Sequence, residues 1–258
     1  MLRLLQALLL VVAALPLLGW SGPKPVHLHW PRVHARVVTV PILEYHRVGV
    51  DGGLPGLTVA PAQFAAEMEW LHGAGYHAIS LARLLAALEL HAPLPSRPLL
   101  ITFDDGYRDV LWNAAALLHR LHMPAADFVI TDRVGGPDAS FLDWRELARL
   151  EALGFTIGSH TVHHLPLTAL SSEQAFRELR DSRLDLEQHL RVPVWSISYP
   201  FGLADGRIAR LAARAGYLLG VTERPGSMQR APLLLRRDEI LPTTGVAGVR
   251  ALIESSGG

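Results

Sequence analysis

Two aspartates, Asp104 and Asp105, stand side by side ahead of Gly106, and His160 and His164 stand four apart with His163 between them. One carboxylate and two imidazoles supply three protein ligands to a zinc-like divalent ion and leave open positions for water and substrate. Neighbouring residues of a strand point to opposite faces, but ahead of a glycine the chain turns, and both carboxylates can approach one site. One aspartate can then hold the metal while the other takes a proton from a metal-activated water. The four-residue histidine spacing places two imidazoles on one side of a helical turn. Hydrolysis at such a centre needs one further group, an acid to protonate a leaving amine or alcohol. Two other apolar runs end in groups of interest, VPILEY at His46 and VWSISY at Tyr199-Pro200-Phe201-Gly202. Taken singly, these features have plainer readings. Asp-Asp-Gly suits a turn that caps a helix starting near Tyr107, and a chain with 13 histidines can carry His-x-x-x-His by chance. The chain has no cysteine, which excludes disulfides, thiolate-held zinc or iron–sulfur clusters and thiol nucleophiles. Any metal must be held by His, Asp or Glu.

The elements needed to bring these residues together are legible as alternating strand-length and helix-length patterns. Strands are expected at Val37–Tyr45, Tyr76–Ser80, Pro98–Asp104, Ala126–Ile130, Phe155–Ser159, Val194–Tyr199 and Tyr217–Val221. Helices are expected at Pro61–Gly73, Leu81–Leu90, Tyr107–Leu121, Asp143–Leu153, Ser171–Leu190 and Asp205–Ala215, with a last strand and a closing helix in LLLRRDEILPTTGVAGVRALI. This alternation predicts an α/β fold, a deformed (β/α) barrel forming a single catalytic domain, whose strand C-termini converge on one face. An open doubly wound sheet is the alternative, but no strand-linked G-x-G-x-x-G or G-x-x-x-x-G-K-[ST] is present. The 258 residues carry 24 Lys plus Arg against 24 Asp plus Glu, a balance that argues against nucleic acid as a partner. Met1–Leu18 is an almost unbroken apolar run after one arginine, read as a signal peptide or a membrane anchor; a buried first helix is the plainer reading. Residues 1–35 are therefore set apart as leader and linker, and 36–258 as the catalytic domain. The expected location is outside the cytoplasm or in the cell envelope, with membrane contact only through the N-terminal segment.

ITFDDGY (Ile101–Tyr107), IGSHTVHHLPL (Ile157–Leu167) and SYPFG (Ser198–Gly202) resemble the successive motifs of the polysaccharide deacetylases, carbohydrate esterase family 4. The resemblance extends over most of Val37–Leu241, including PILEYHRV, the stretch from Thr58 to Leu88, and FLDWRELARLEALGF. It implies metal-dependent removal of N-acetyl groups from an N-acetylglucosamine-containing polysaccharide. Asp105, His160 and His164 would be the metal ligands, Asp104 the base, and the Tyr199 backbone N–H a partner of the oxyanion. The ion would be zinc, with cobalt, nickel or iron also suited to these ligands. Many family members take their acid from a C-terminal Leu-x-His motif, whereas the last histidine here is His189. A circularly permuted branch, similar to the bacterial poly-N-acetylglucosamine deacetylases, carries that histidine near the N-terminus, and EYHRV places His46 there. His46 could otherwise satisfy a buried polar contact. The arginine expected just ahead of the tyrosine-proline motif is missing, since Arg191 is out of register. Arg237 resembles an arginine of the permuted branch, and an exposed strand arginine fits its sequence as well. Trp144 and Trp195 are candidates for a sugar-stacking groove or for core packing. Two other activities share these residues: an esterase on O-acetylated carbohydrate, and a non-catalytic carbohydrate-binding relative.

Overall fold

The computed structural model of the chain describes residues 36–50 and 56–255. The N-terminal run read as leader or anchor lies outside the described residues. Along the chain the first elements are β1 (Val38–Thr39), β2 (Ile42–Tyr45), β3 (Arg47–Val48), β4 (Thr58–Val59), α1 (Pro61–Gly73), β5 (His77–Ala78), α2 (Leu81–Leu90) and β6 (Pro98–Asp105). A π-helical turn at Val110–Ala114 then runs into α3 (Ala115–Arg120), followed by β7 (Ala125–Val129), α4 (Trp144–Ala152), β8 (Phe155–Ser159) and α5 (Ser172–Leu190). The last elements are β9 (Ser196–Ser198), α6 (Gly206–Ala215), β10 (Leu219–Val221), β11 (Met228–Gln229), β12 (Asp238–Glu239) and α7 (Gly245–Ser255). Among the described residues no helix is long and apolar enough to cross a membrane.

Helix starts follow local chemistry. Asp143 and Glu146 form a capping box at α4, Ser171 and Gln174 another at α5, and the Asp205 carboxylate accepts the Ile208 N–H at α6. The expected continuous strand Val37–Tyr45 is broken at Pro41, which has no N–H to give a ladder. β1 pairs antiparallel with β11, and β2 joins the main sheet.

The main sheet runs β10-β9-β8-β7-β6-β2-β12, with β5 beside the start of β6, and every pairing in it is parallel. It curls into the expected deformed barrel. The segment 235–239 touches both edges: Leu235 bridges Val221 on β10, while Asp238 and Glu239 pair with Leu43 and Glu44 on β2. Outward-facing Phe103, Ile157 and Ile197 pack under the helices with residues such as Phe64, Leu147 and Leu179. Inside, Ile42, Leu100, Phe128, Leu219 and Leu235 form a second cluster. Each fully buried side chain of this kind contributes roughly 1.5–3 kcal/mol relative to exposure.

One residue works against this core. Asp127 on β7 lies opposite Phe103, on the helix-facing side, fully buried, and neither carboxylate oxygen accepts a hydrogen bond. Burial first, then the charges of Asp104 and Asp105, hold its pKa well above the ordinary range. The folded state therefore keeps this carboxyl protonated, and stability is lost as pH rises through the unfolded-state value of about 3.9 toward the raised folded value. Asp127→Asn removes that cost. The expected outcome is a gain of about 1–3 kcal/mol at pH 7, read as a higher melting temperature, that disappears near pH 3.

Candidate active site

Strand ends meet at the barrel mouth. Alternate residues of a strand share a face, so Glu44 and, just past β2, His46 face inward. Through the β2–β6 register Glu44 stands beside Thr102, and Asp104 follows on the same face. Asp105 would point outward by this rule, but its backbone is left-handed (φ 76°) and Gly106 follows with φ 80°. A Cβ on Gly106 would stand 2.8 Å from Val129 Cγ1, so this turn requires glycine for space as well as for conformation. The turn swings Asp105 into the same mouth as Asp104. Neither aspartate serves as the cap of a helix at Tyr107.

Asp105 Oδ1 lies 3.5 Å from His160 Nε2 and 3.7 Å from His164 Nε2. The ligand atoms of the three residues all fall within 4.8 Å of one another. His160 Nδ1 bonds to the Ser198 carbonyl at 2.8 Å; a carbonyl only accepts, so the ring hydrogen sits on Nδ1 and the Nε2 lone pair faces Asp105. Burial lowers His160 to about 3 and also lowers His164, leaving both imidazoles neutral donors. Asp105 Oδ1 is buried without a hydrogen-bond partner, and burial and then the Asp104 charge push this carboxyl up to about 7. Two neutral imidazoles and one orphaned carboxylate oxygen fit a divalent ion of the zinc type.

The helical turn expected for the two histidines is not what holds them. Residues 160–164 form a loop in which Thr161 (φ 68°) and His164 (φ 56°) are left-handed. His163 places its Nδ1 2.7 Å from Glu178 Oε1, and it is His164 whose ring nitrogen gathers with Asp105 and His160.

Asp104 is gripped differently. Arg237 donates to both of its oxygens, Nη1 to Oδ1 at 2.8 Å and Nη2 to Oδ2 at 2.7 Å, and Ser198 Oγ donates to Oδ2 at 2.7 Å. Burial alone would raise this carboxyl, but the Arg237 guanidinium beside it holds it well below the usual carboxylate range. The reading of Arg237 as an exposed strand arginine is corrected: it is 0% exposed, because the 235–239 segment lies across the barrel edge and sends the side chain inward. The arginine missing ahead of the tyrosine-proline motif thus has its counterpart on the closing segment.

His46 lines the mouth, and burial lowers its pKa. Its Nε2 lies 4.0 Å from Glu44 Oε1, and that oxygen is 3.2 Å from Arg237 Nη2. Glu44 is fully buried, neither of its oxygens is hydrogen-bonded, and burial holds its carboxyl well above the usual range, so its approach to Arg237 is a close contact without hydrogen-bond geometry. Glu44, His46 and Asp104 also gather within 4.8 Å, but the guanidinium already supplies the positive charge there, so the Asp105 cluster is the better cation site.

The mouth is a cavity of about 670 Å³. Its aromatic walls are Tyr107 stacked on Phe141 (ring centroids 4.8 Å apart) and Phe201 against His164 (4.6 Å). The two tryptophans are elsewhere. Trp144 stacks on His189 with centroids 3.9 Å apart, and Trp195, just before β9, packs on the inner core cluster. The Tyr199 amide is also corrected as an oxyanion partner, because it donates to the Val221 carbonyl at 3.1 Å. Two residues on, Phe201 has a left-handed backbone (φ 58°), lines the cavity, and its N–H makes no hydrogen bond among the described residues.

Comparison with known proteins supplies independent findings. A family model described as polysaccharide deacetylase matches residues 91–220, a span that includes Asp104, Asp105, His160 and His164 but neither His46 nor Arg237. The chain is 31% identical over 218 residues to YxkH of Bacillus subtilis, a protein assigned as a polysaccharide deacetylase, covering 84% of this chain and 76% of that one. It is 26% identical over 175 residues to the poly-beta-1,6-N-acetyl-D-glucosamine N-deacetylase of Staphylococcus aureus, covering 63% of this chain and 60% of its relative. Among solved structures, the deacetylase PplD of Streptococcus pyogenes, in complex with acetate, superposes with a TM-score of 0.78 at 27% identity, over 84% of this chain and 99% of that one.

Proposed function

The chain belongs to the polysaccharide deacetylase family, and from that membership we propose that it hydrolyses N-acetyl groups of an N-acetylglucosamine-containing polysaccharide with a divalent metal, zinc first among those its ligands suit. The observation that carries this reading is the convergence, at one cavity, of a His-His-Asp cluster, a carboxylate kept ionised and a histidine facing it from β2. Asp105, His160 and His164 would hold the metal. A divalent ion in such a site supplies Lewis-acid polarisation and lowers the pKa of water. Asp104, ionised beside Arg237, takes the proton of the attacking water at a carboxylate oxygen. The Phe201 N–H, which has no hydrogen-bond partner among the described residues, donates to the oxygen that gains charge, in place of the Tyr199 amide. His46, where the facing Asp104 charge favours the protonated imidazole against the lowering by burial, gives its proton to the departing nitrogen, and the products are acetate and a free amine.

That His46 precedes the Asp-Asp-Gly motif, and that Arg237 follows everything else, accords with the permuted motif order. The resemblance to the staphylococcal enzyme supports N-acetylglucosamine as the sugar. The apolar run at Met1–Leu18 supports an exported protein acting at or beyond the cell envelope.

The test is acetate release from β-1,4- and β-1,6-linked N-acetylglucosamine oligomers, with O-acetylated xylan beside them. Release is expected from the N-acetylated oligomers, to fall to background after chelation, and to return with zinc or cobalt. Release from acetylated xylan alone would reassign the chain to ester hydrolysis. Release that survives chelation would refute the metal reading.

A further inference from the structure

The loop that carries His160 and His164 cannot hold its own shape. It is not helical, and two of its non-glycine residues, Thr161 and His164, sit in the left-handed region, where side chains pay in backbone strain. Such a conformation persists only when neighbours over-determine it. The neighbours here are the backbone N–H groups of Thr131 and Asp132, which donate to the Thr161 and Val162 carbonyls at 3.2 and 3.1 Å, and one face of α5.

Glu178 and Ser182 are four apart on that helix and therefore share a face. Glu178 is 9% exposed. Its Oε2 accepts the backbone N–H groups of Val162 and His163 at 3.1 and 3.0 Å, and its Oε1 pairs with His163 Nδ1 at 2.7 Å. One turn further on, Ser182 Oγ lies 2.6 Å from Ser159 Oγ, which itself accepts the Thr161 N–H at 3.0 Å. Inside the loop, Thr161 Oγ1 accepts the His164 N–H at 3.1 Å. The two N–H groups taken by Glu178 are those of the residues between the two left-handed positions. Releasing them frees the peptide that sets which of His163 and His164 faces Asp105.

We propose that Glu178 is a positioning residue of the metal centre, a carboxylate that touches neither metal nor substrate but fixes the loop so that His164 presents Nε2 to the ion. The proposal rests on the reading of Asp105, His160 and His164 as metal ligands. It assigns a role to His163 as well: the non-ligating histidine is the handle by which Glu178 holds the loop in register.

The test uses cobalt(II) on the full chain, because its visible absorption reports ligand geometry directly, alongside zinc affinity by chelator competition. Glu178→Ala is expected to weaken zinc binding by about 10–100-fold, the range typical of outer partners of metal ligands, and to change the cobalt spectrum. Glu178→Gln keeps an oxygen for the backbone N–H groups and should recover most of the affinity. Glu187 on the same helix provides the control for simple destabilisation, since it accepts the Val194 N–H at 3.0 Å and pairs with Arg183, remote from the loop. Glu187→Ala should lower the melting temperature and leave affinity and spectrum as in the wild type. Wild-type affinity and an unchanged cobalt spectrum in Glu178→Ala would overturn the proposal while the metal reading stands. So would loss of affinity in Glu187→Ala equal to that in Glu178→Ala at equal melting temperature. A wild-type chain that binds neither cobalt nor zinc would remove the metal reading itself, and this proposal with it.

Discussion

Asp104→Asn is expected to lower acetate release by about 10²–10⁴-fold, the contribution of a positioned general base, while leaving metal affinity within a few-fold of the wild type. The amide has nearly the shape of the carboxylate and can still accept from Arg237 or Ser198, so the grip on the side chain is only partly lost. What it cannot do is take a proton. Asp105→Asn is expected to fail by another route, since Asp105 Oδ1 is the orphaned oxygen between His160 and His164. There zinc affinity falls, and activity follows according to the metal supplied. Titrating each variant with zinc while recording acetate separates the two: excess metal rescues part of the Asp105 loss and none of the Asp104 loss. Equal rescue of both would show that the roles of the two neighbours are wrongly divided.

Arg237→Gln should have the largest effect on stability together with a large effect on rate. Arg237 is fully buried, donates two hydrogen bonds to the Asp104 carboxylate and lies 3.2 Å from the buried Glu44 carboxyl. Removing one partner of a buried ion pair costs about 3–5 kcal/mol, because the remaining charge is left uncompensated. The direction with pH follows from Asp104. Its folded pKa is held below the unfolded one, so its stabilisation is complete above about 3.9 and lost as pH falls through the depressed folded value. Without the guanidinium, burial dominates and the Asp104 pKa rises. The base is then partly protonated at pH values where the wild type has it ionised, and the acid limb of the rate profile moves upward. Arg237→Lys keeps the charge but not the two-pronged geometry, and should recover much of the stability but less of the rate. Thermal unfolding and pH-rate profiles of the three proteins decide this. An unshifted acid limb in a folded Arg237→Gln would count against Arg237 as the group that keeps Asp104 ionised.

Several parts of this molecule were readable without any coordinates, for identifiable reasons. β6 and β8 are dense in buried apolar residues, and α4, α5 and α6 announce their starts with Asp143, Ser171 and Asp205. These signals are local, and local signals survive in a linear sequence. Period-two alternation in PILEYH could also have placed Glu44 on the inward face with His46, since residues two apart on a strand share a side. The Glu178–Ser182 pair was visible as a four-residue spacing on a predicted helix, but nothing in the sequence said which loop it would meet.

By itself the sequence determined the alternating elements, the kinds of ligand available and, through the absence of cysteine, the chemistry that could not occur. Gly106 likewise marked the turn at which two adjacent carboxylates could reach one site. Only the tertiary structure decided what each polar residue meets. In sequence Arg237 is open between a family resemblance and an exposed strand arginine until the 235–239 segment bridges the two edges of the sheet and turns it toward Asp104, a contact 133 residues away in sequence. The Tyr199 amide reads as free until β10 takes it, and Trp144 and Trp195 read equally as groove or core residues until packing places Trp195 on the inner core and Trp144 on His189. The physical reason is common to all of them. Hydrogen bonds and ion pairs act over a few ångströms, so their partners are fixed by how the sheet curls and closes.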